Sequence, residues 1–477
     1  FAFASEQKAL LQIPVVETGI NYPAVFEHLL MAQIELQSEG FFKNIFELSP
    51  GHYFMYDLKT NELKIEKYYT LAFEYSTSHF SKSKLKDYSE QLVNKMTHAV
   101  NVRLRSDVPV GFCLSGGLDS STIVSIASKI NNKNKLSQLS DNITVFTATN
   151  TNENTDESKW AAIIAKKNNI RWVKAECNPE NIMSELEDII YHQDIPLCTT
   201  STYAQNKVMQ SAKENGVTIL LDGQGGDELF AGYPVFYTSY YLELLKRFRF
   251  GNFINELAHT GNAPYSAGVF FKSTGKIIMD SILPDFITPM IAGSIKKELH
   301  FFSSNFRKKN NQLINFSNDF NAKPLNASLH NYCTDYYLRN LLRWEDRCSM
   351  QYSIESRTPF ADDVALINFI FQIPSVYKIK HGWSKYLMRV AIKGLVPEEI
   401  RLRKDKLGFS TPQQQWLKVI HPQMKTIVQD FGRSSEIINN ELLLTKWDSI
   451  FNDDRQLKIQ AFIWRYVCFL IWKKKFF

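Results

Sequence analysis

The sequence predicts an α/β protein. Its main body is a parallel sheet with helices on both faces, preceded by a β-rich N-terminal remnant and followed by a helical C-terminal part. Three observations lead there. Short apolar runs alternate with longer segments of helical periodicity between residues 88 and 221, the order that builds parallel strands joined by crossover helices. A glycine- and serine-rich loop stands between one such strand and the helix after it. From residue 332 to the end, the spacing of apolar positions is helical.

Residues 1–72 read as the tail of a small domain. Pro50-Gly51-His52 is a turn signal, residues 52–56 alternate as a strand, Thr60-Asn61 turns, and 63–69 return as a second strand. Residues 73–86 are rich in serine and lysine and are expected to be a linker to a domain spanning 87–477. A helix is expected over 88–105, where Leu92, Met96, Ala99 and Val102 recur at helical spacing. Strands follow at 108–114, 143–148, 170–175 and 217–221. Helices are expected at 119–130, 157–168, 182–191 and 203–215. Residues 240–330 read as mostly helical, with the polar stretch 310–326 as a surface loop. A further helix is expected at 384–393.

Composition narrows the function classes. The chain has 477 residues, 44% hydrophobic and 22% charged, with a net charge of +6. No block of five or more basic residues occurs, and nucleic acid is not an expected partner. Lys473-Lys474-Lys475 reads as a solvated helix end. The apolar stretch 461–472 is too short to span a bilayer and contains Arg465, so a buried aromatic helix is expected and no membrane association. Six cysteines form no C-x-x-C pair, which points to neither a zinc site nor a disulfide framework and suits the cytoplasm. No signal peptide is visible. The sequence begins at Phe1, as a fragment, a processed form or a truncated chain would.

The most informative segment is Ser115-Gly116-Gly117-Leu118-Asp119-Ser120-Ser121. Two glycines let backbone approach phosphate oxygens, and the N-terminus of the following helix offers unpaired N–H groups to an anion. Ser115, Ser120 and Ser121 add hydroxyls, and Asp119 can hold the Mg²⁺ that screens phosphates. The G-x-x-x-x-G-K-[ST] sequence of kinases and GTPases is absent. The loop therefore suits a leaving pyrophosphate and attack at the α-phosphorus, as in ATP-pyrophosphatases; a plain glycine-serine turn is the bland alternative. A second run, Asp222-Gly223-Gln224-Gly225-Gly226-Asp227-Glu228, follows another strand, where ligands of open α/β sheets bind. Asp119 and Asp227 would share one Mg²⁺. The charged run from Leu342 to Phe360, interleaved with Trp344, Met350, Ile354 and Phe360, suits a buried polar network beside a site, or an ion-pair network between subdomains. Lys385, Lys404 and Lys406 are lysines that could face phosphate, although solvent is the ordinary place for each. His192 reads as structural.

Together these segments resemble the glutamine-dependent asparagine synthetase family. The carrying residues are 114–121, 222–233, 345–360 and 403–409; residues 3–12 and Leu48-Ser49-Pro50-Gly51-His52 resemble the end of that family's glutaminase domain. The fold implied is that of the adenine nucleotide α-hydrolases. The reaction implied is attack of the aspartate β-carboxylate on Mg·ATP, with pyrophosphate leaving, then attack of ammonia on the β-aspartyl-AMP carbonyl, with AMP leaving. At matching positions, the resemblance implies that Leu114 and Ala148 line the adenosine site, while Ser115, Gly116, Gly117, Ser120 and Ser121 hold pyrophosphate. Asp119 and Asp227 would ligate Mg²⁺, Asp222 and Gly223 would touch nucleotide or intermediate, Lys385 would contact pyrophosphate, and Lys406 would stabilise developing charge. The partners implied are ATP, aspartate and ammonia or glutamine; a homodimer is compatible with the resemblance.

Three positions depart from the family pattern. The glutaminase nucleophile is an N-terminal cysteine, whereas the first cysteine here is Cys113, so glutamine hydrolysis would fall to a longer parent. Gln224 stands where many members have glutamate, and an amide cannot serve as a base. Cys348 replaces an expected asparagine. The nearest alternatives are adenylating ring-closing enzymes of the β-lactam synthetase and lasso-peptide cyclase types. Further away lie thiolating or NAD-forming pyrophosphatases and a non-catalytic scaffold.

Overall fold

Two sheets organise the described residues. In the computed structural model, described over residues 1–32, 38–74, 79–139, 143–150, 156–263, 297–313, 323–335, 337–404, 411–432 and 435–477, β1 (His52–Tyr56) pairs antiparallel with β2 (Leu63–Lys67). The second sheet contains β3 (Val110–Cys113), β4 (Thr144–Thr149), β5 (Arg171–Glu176), β6 (Ile219–Leu221) and β7 (Glu355–Arg357). Its order is β5-β4-β3-β6-β7 and every pairing is parallel. The chain moves outward from β3 through β4 to β5, then returns to the other side of β3. That reversal makes the β3/β6 boundary the switch point, where the loops leaving adjacent strands open a crevice.

Both faces of the sheet are covered, as the alternation of strand side chains requires. Val110, Phe112, Val145, Ile219 and Leu221 belong to one hydrophobic core with the helices Lys82–Arg103, Leu118–Asn134 and Ser158–Asn168. Phe146, Ala175 and Leu220 face the other way, onto Val208, Met209 and Ala212 of the helix Ser201–Glu214. A third core joins the N-terminal residues to the C-terminal helices. Val25, Phe26, Leu29, Phe41 and Phe42 pack with Trp416, Trp447, Phe462, Phe469 and Trp472.

The C-terminal stretch forms the helix Leu457–Phe476, buried from Phe462 to Trp472 as expected. Its Arg465 is buried too, and Nε and Nη2 donate to the Leu29 carbonyl at 3.0 and 2.7 Å. No helix among the described residues is long and apolar enough to cross a membrane.

Three expectations are corrected. The helix expected at residue 88 begins at Lys82, where the Ser81 side chain caps it by accepting from Lys84 N; its early lysines are solvated and do not interrupt it. The stretch 310–326 is not a continuous surface loop. Asn310 and Asn326 are buried, and Asn326, in the helix Leu325–Thr334, donates to the carbonyls of Glu74 and Ile373; residues 314–322 lie outside the described residues. β7, the fifth strand, lies inside the charged run and carries no apolar alternation. It is held by parallel pairing of Glu355, Ser356 and Arg357 with Ile219, Leu220 and Leu221.

Candidate active site

The loop after β3 is shaped by its own hydroxyls and by a close helix. Leu114 N donates to Phe146 O at 2.8 Å, and Leu114 O accepts from Thr147 Oγ1 at 2.6 Å, so the loop starts from a fixed strand end. Gly116 has a φ of +73°, and a Cβ there would stand 2.4 Å from Trp160 Cβ and 2.6 Å from Ala161 N. Only glycine meets both conditions. Ser115 Oγ accepts from Gly117 N at 3.2 Å and lies 3.2 Å from Ser120 Oγ, which folds the loop over the start of the helix Leu118–Asn134. The start of that helix borders the crevice, with Gly117, Asp119 and Ser120 in its wall.

The loop after β6 presses directly on the first. A Cβ at Gly223 would lie 3.0 Å from Ser120 N, and one at Gly226 would lie 2.5 Å from Asp119 Oδ1. The second loop thus has to be glycine-rich for the two to meet. At the meeting point, Lys385 Nζ donates to Asp119 at 2.7 Å (Oδ1) and 2.5 Å (Oδ2), and it stands 2.6 Å from Asp227 Oδ1. All three side chains are largely buried. Lys385 adopts a left-handed φ of +54°, immediately before the helix Tyr386–Ala391, and its N–H donates to Phe230 O at 3.1 Å. The helix expected at 384–393 is therefore shorter, because this residue is turned to aim its ammonium at the two carboxylates.

A cavity of about 570 Å³ opens above these loops. Leu114, Ser115, Gly117, Asp119, Ser120, Ala148, Asp222, Gly223, Gln224 and Asp227 all line it. Gly116 is packed against Trp160, and Ser121 is fully buried with its Oγ unpartnered, so both support the loop from behind. Lys385 also stands behind the wall, reaching the site through the two aspartates. Lys406 lies outside the described residues. Lys404 is exposed, with Nζ donating to Gly261 O at 3.4 Å. His192 lies on the surface side of its helix, its Nδ1 3.0 Å from Asp188 O.

Burial pushes the Asp222 carboxyl up from its ordinary value, against hydrogen bonds from Gly223 N–H and the Cys113 thiol. Behind it stands Glu345, on the helix Tyr337–Gln351, also pushed well up by burial and by the Asp222 charge. The run 342–360 thus supplies a buried polar network beside the site, although Glu345 itself carries no periodic signal that singles it out. Two further supports were not assigned from sequence. Arg403 stacks over the Trp160 ring at 4.8 Å, donates to Gly116 O at 3.4 Å and pairs with Glu157, so it holds the phosphate-type loop from the rear. Cys348 is buried, accepts from Gln193 Nε2 at 3.3 Å and faces Thr202 O. It joins two helices as a small, weakly polar group in a dry site, and burial pushes its thiol up to about 12.

Comparison with known proteins decides the family. The asparagine synthase profile matches residues 91–473, and that of the glutamine amidotransferase domain matches residues 1–69. The chain belongs to the asparagine synthase family. It is 30% identical over 380 residues to asparagine synthetase [glutamine-hydrolyzing] 1 of Bacillus subtilis, covering 78% of this chain and 57% of the relative. Asparagine synthetase 3 of the same organism is 25% identical over 434 residues, 90% of this chain and 64% of its own length. The amidase chyE of Penicillium rubens is 23% identical over 449 residues, 82% and 62%. The chain spans about three fifths of the length of these curated relatives. Asparagine synthases are a glutamine-hydrolysing ligase family that uses ATP.

Proposed function

We propose that this chain carries the synthetase reaction of its family: ATP-dependent amidation of aspartate to asparagine, through a β-aspartyl-AMP intermediate. One observation carries the reading. Two carboxylates from two glycine-rich loops, Asp119 and Asp227, line a nucleotide-sized cavity and converge on the Lys385 ammonium behind its wall. Asp119 and Asp227 would hold Mg²⁺ in that cavity, beside the Lys385 ammonium, since that ion binds through one or two protein carboxylates. It would supply neutralisation of the triphosphate charge.

The residues then divide the work. Leu114 and Ala148, at the ends of β3 and β4, border the adenosine part of the cavity. The N–H groups around Gly117 and the Ser115 and Ser120 hydroxyls receive the departing pyrophosphate. The Lys385 ammonium, already within the carboxylate pair, offsets charge as the α–β phosphoanhydride bond breaks and the aspartate oxygen bonds to the α-phosphorus. In the second step the ammonia nitrogen bonds to the acyl carbon, the bond to AMP breaks, and one proton leaves. Lys406 is proposed to stabilise charge in both steps. The N-terminal 72 residues are proposed to be the end of a glutamine amidotransferase domain, joined by residues 73–86 to the synthetase domain at 87–477.

The test is product analysis with Mg·ATP and aspartate, with ammonium or glutamine as nitrogen donor. Asparagine and AMP in equal amounts with ammonium are expected. A folded, ATP-binding sample that releases no pyrophosphate in response to aspartate overturns the assignment and moves ring-closing adenylation to first place.

A further inference from the structure

Directly behind Gln224 is a carboxyl with no part in the steps above. Glu345 is 1% exposed. Its Oε1 accepts from Ser356 Oγ, on β7. Its Oε2 is sealed from solvent without a close partner, and the Gln224 amide is the neighbouring polar group that eases its charged form. Gln224 itself lines the cavity, in the same loop as Asp222 and Asp227. A side-chain amide cannot take a proton, but it can orient a nucleophile: its oxygen accepts an N–H while its nitrogen is tied elsewhere. For that, the two ends of the amide must be told apart. A rotating amide offers its oxygen and its nitrogen to the cavity about equally.

We propose that Glu345 is the positioning residue for Gln224. It engages the nitrogen end of the amide and leaves the oxygen end toward the cavity, where it accepts an N–H of the incoming amine and aims the nitrogen lone pair at the acyl carbon. Ser356 keeps the Glu345 carboxyl from turning away. Burial and the Asp222 carboxyl beside it push the Glu345 carboxyl up from its ordinary value. The carboxyl carries an oxygen that can accept from the amide N–H. Glu345 thus acts through Gln224 and on the amine step, not on adenylation. The inference rests on the amidation reading.

The experiment compares the intact chain with Glu345→Leu, Gln224→Leu, the double variant and Glu345→Gln. Two products are followed, pyrophosphate and asparagine, with aspartate and Mg·ATP at varied ammonium. If the wild-type chain releases no aspartate-dependent pyrophosphate, the amidation reading itself has failed. With that release present, the ratio of asparagine to pyrophosphate is expected to fall about tenfold or more in Glu345→Leu, with a raised KM for ammonium, as a misplaced nucleophile contact requires. Gln224→Leu should show the same fall, and the double variant no more than either single change, because both remove one interaction. Glu345→Gln, an uncharged side chain that still accepts from the amide, should restore most of the ratio. An unchanged ratio in Glu345→Leu, multiplying effects in the double variant, or a loss in Glu345→Gln as deep as in Gln224→Leu each overturns the proposal. Should Glu345→Leu not fold, the Glu345→Gln and Gln224→Leu comparison decides alone.

Discussion

Asp119, Asp227 and Lys385 show how much one residue can carry. The two aspartates stand in recognisable loops, each just past a strand, and could be named from those loops. Lys385 is 266 residues from Asp119, and only the resemblance singled it out from other lysines. Its removal has two consequences. Lys385→Met takes the buried ammonium away from two carboxylates and should lower stability by about 3–5 kcal/mol, read from urea midpoints. The same variant should lose aspartate-dependent pyrophosphate release by about a hundredfold or more, as removal of a charge-stabilising group does. Gly116→Ala tests the loop itself. The added Cβ meets Trp160 and an unfavourable φ. A loss of about 1–3 kcal/mol is expected, together with weaker ATP binding measured by calorimetry.

At the scale of elements, the helix Tyr22–Met31 gives a pH-dependent prediction. Its Glu27 is buried, and burial alone pushes the carboxyl up to about 7 from 4.5. The folded chain therefore holds a proton that the unfolded chain gives up first. This contribution to stability is full below pH 4.5, is lost as pH rises toward 7, and is then flat. Its size is on the order of 1–2 kcal/mol once solvent at the rim is allowed for. Glu27→Gln should remove that part of the slope, seen as a smaller difference between urea midpoints at pH 5 and pH 7.5. A parallel shift of the two midpoints would show that Glu27 does not titrate in this range.

Elements also mark where legibility ended. β3 and β6 are apolar, β4 and β5 mix apolar with polar residues, and all four lie near their expected positions. β7 contains Glu355, Ser356 and Arg357, and becomes a strand only because β6 offers it an open edge. Asn326 reads as a loop residue by its polarity, yet it is buried because two distant carbonyls satisfy its amide.

For the whole molecule, the N-terminal residues and the last helix form one core rather than two. Phe41 and Phe42 lie 5.6 and 4.9 Å from the Trp472 ring, and Arg465 closes the carbonyl of Leu29. The N-terminal segment also grips the sheet domain through Lys8 and Asp194, 3.1 Å apart, and through Arg347 and Glu6. Deleting residues 1–72 should therefore expose Trp472 and its neighbours. The shortened chain is expected to aggregate or to elute as an expanded species on gel filtration, with its near-ultraviolet dichroism lost. A compact, monodisperse product with native dichroism would show that the synthetase part folds independently.

By itself, the sequence determined the features that depend on neighbours along the chain. Alternating strands and helices imply a parallel sheet, and glycines and serines between a strand and a helix imply an anion-binding loop, because both follow from backbone conformation over a few residues. The apolar C-terminal stretch likewise implies a buried helix. Tertiary structure alone decided which loops meet, that Lys385 closes the carboxylate pair, that Arg403 braces Gly116, and that Glu345 stands behind Gln224. Those arrangements depend on side chains far apart in sequence being brought into a low-dielectric interior, where each buried polar group must find a partner or change its charge. A solvated lysine and a buried one look the same in the sequence; the folded environment makes them different.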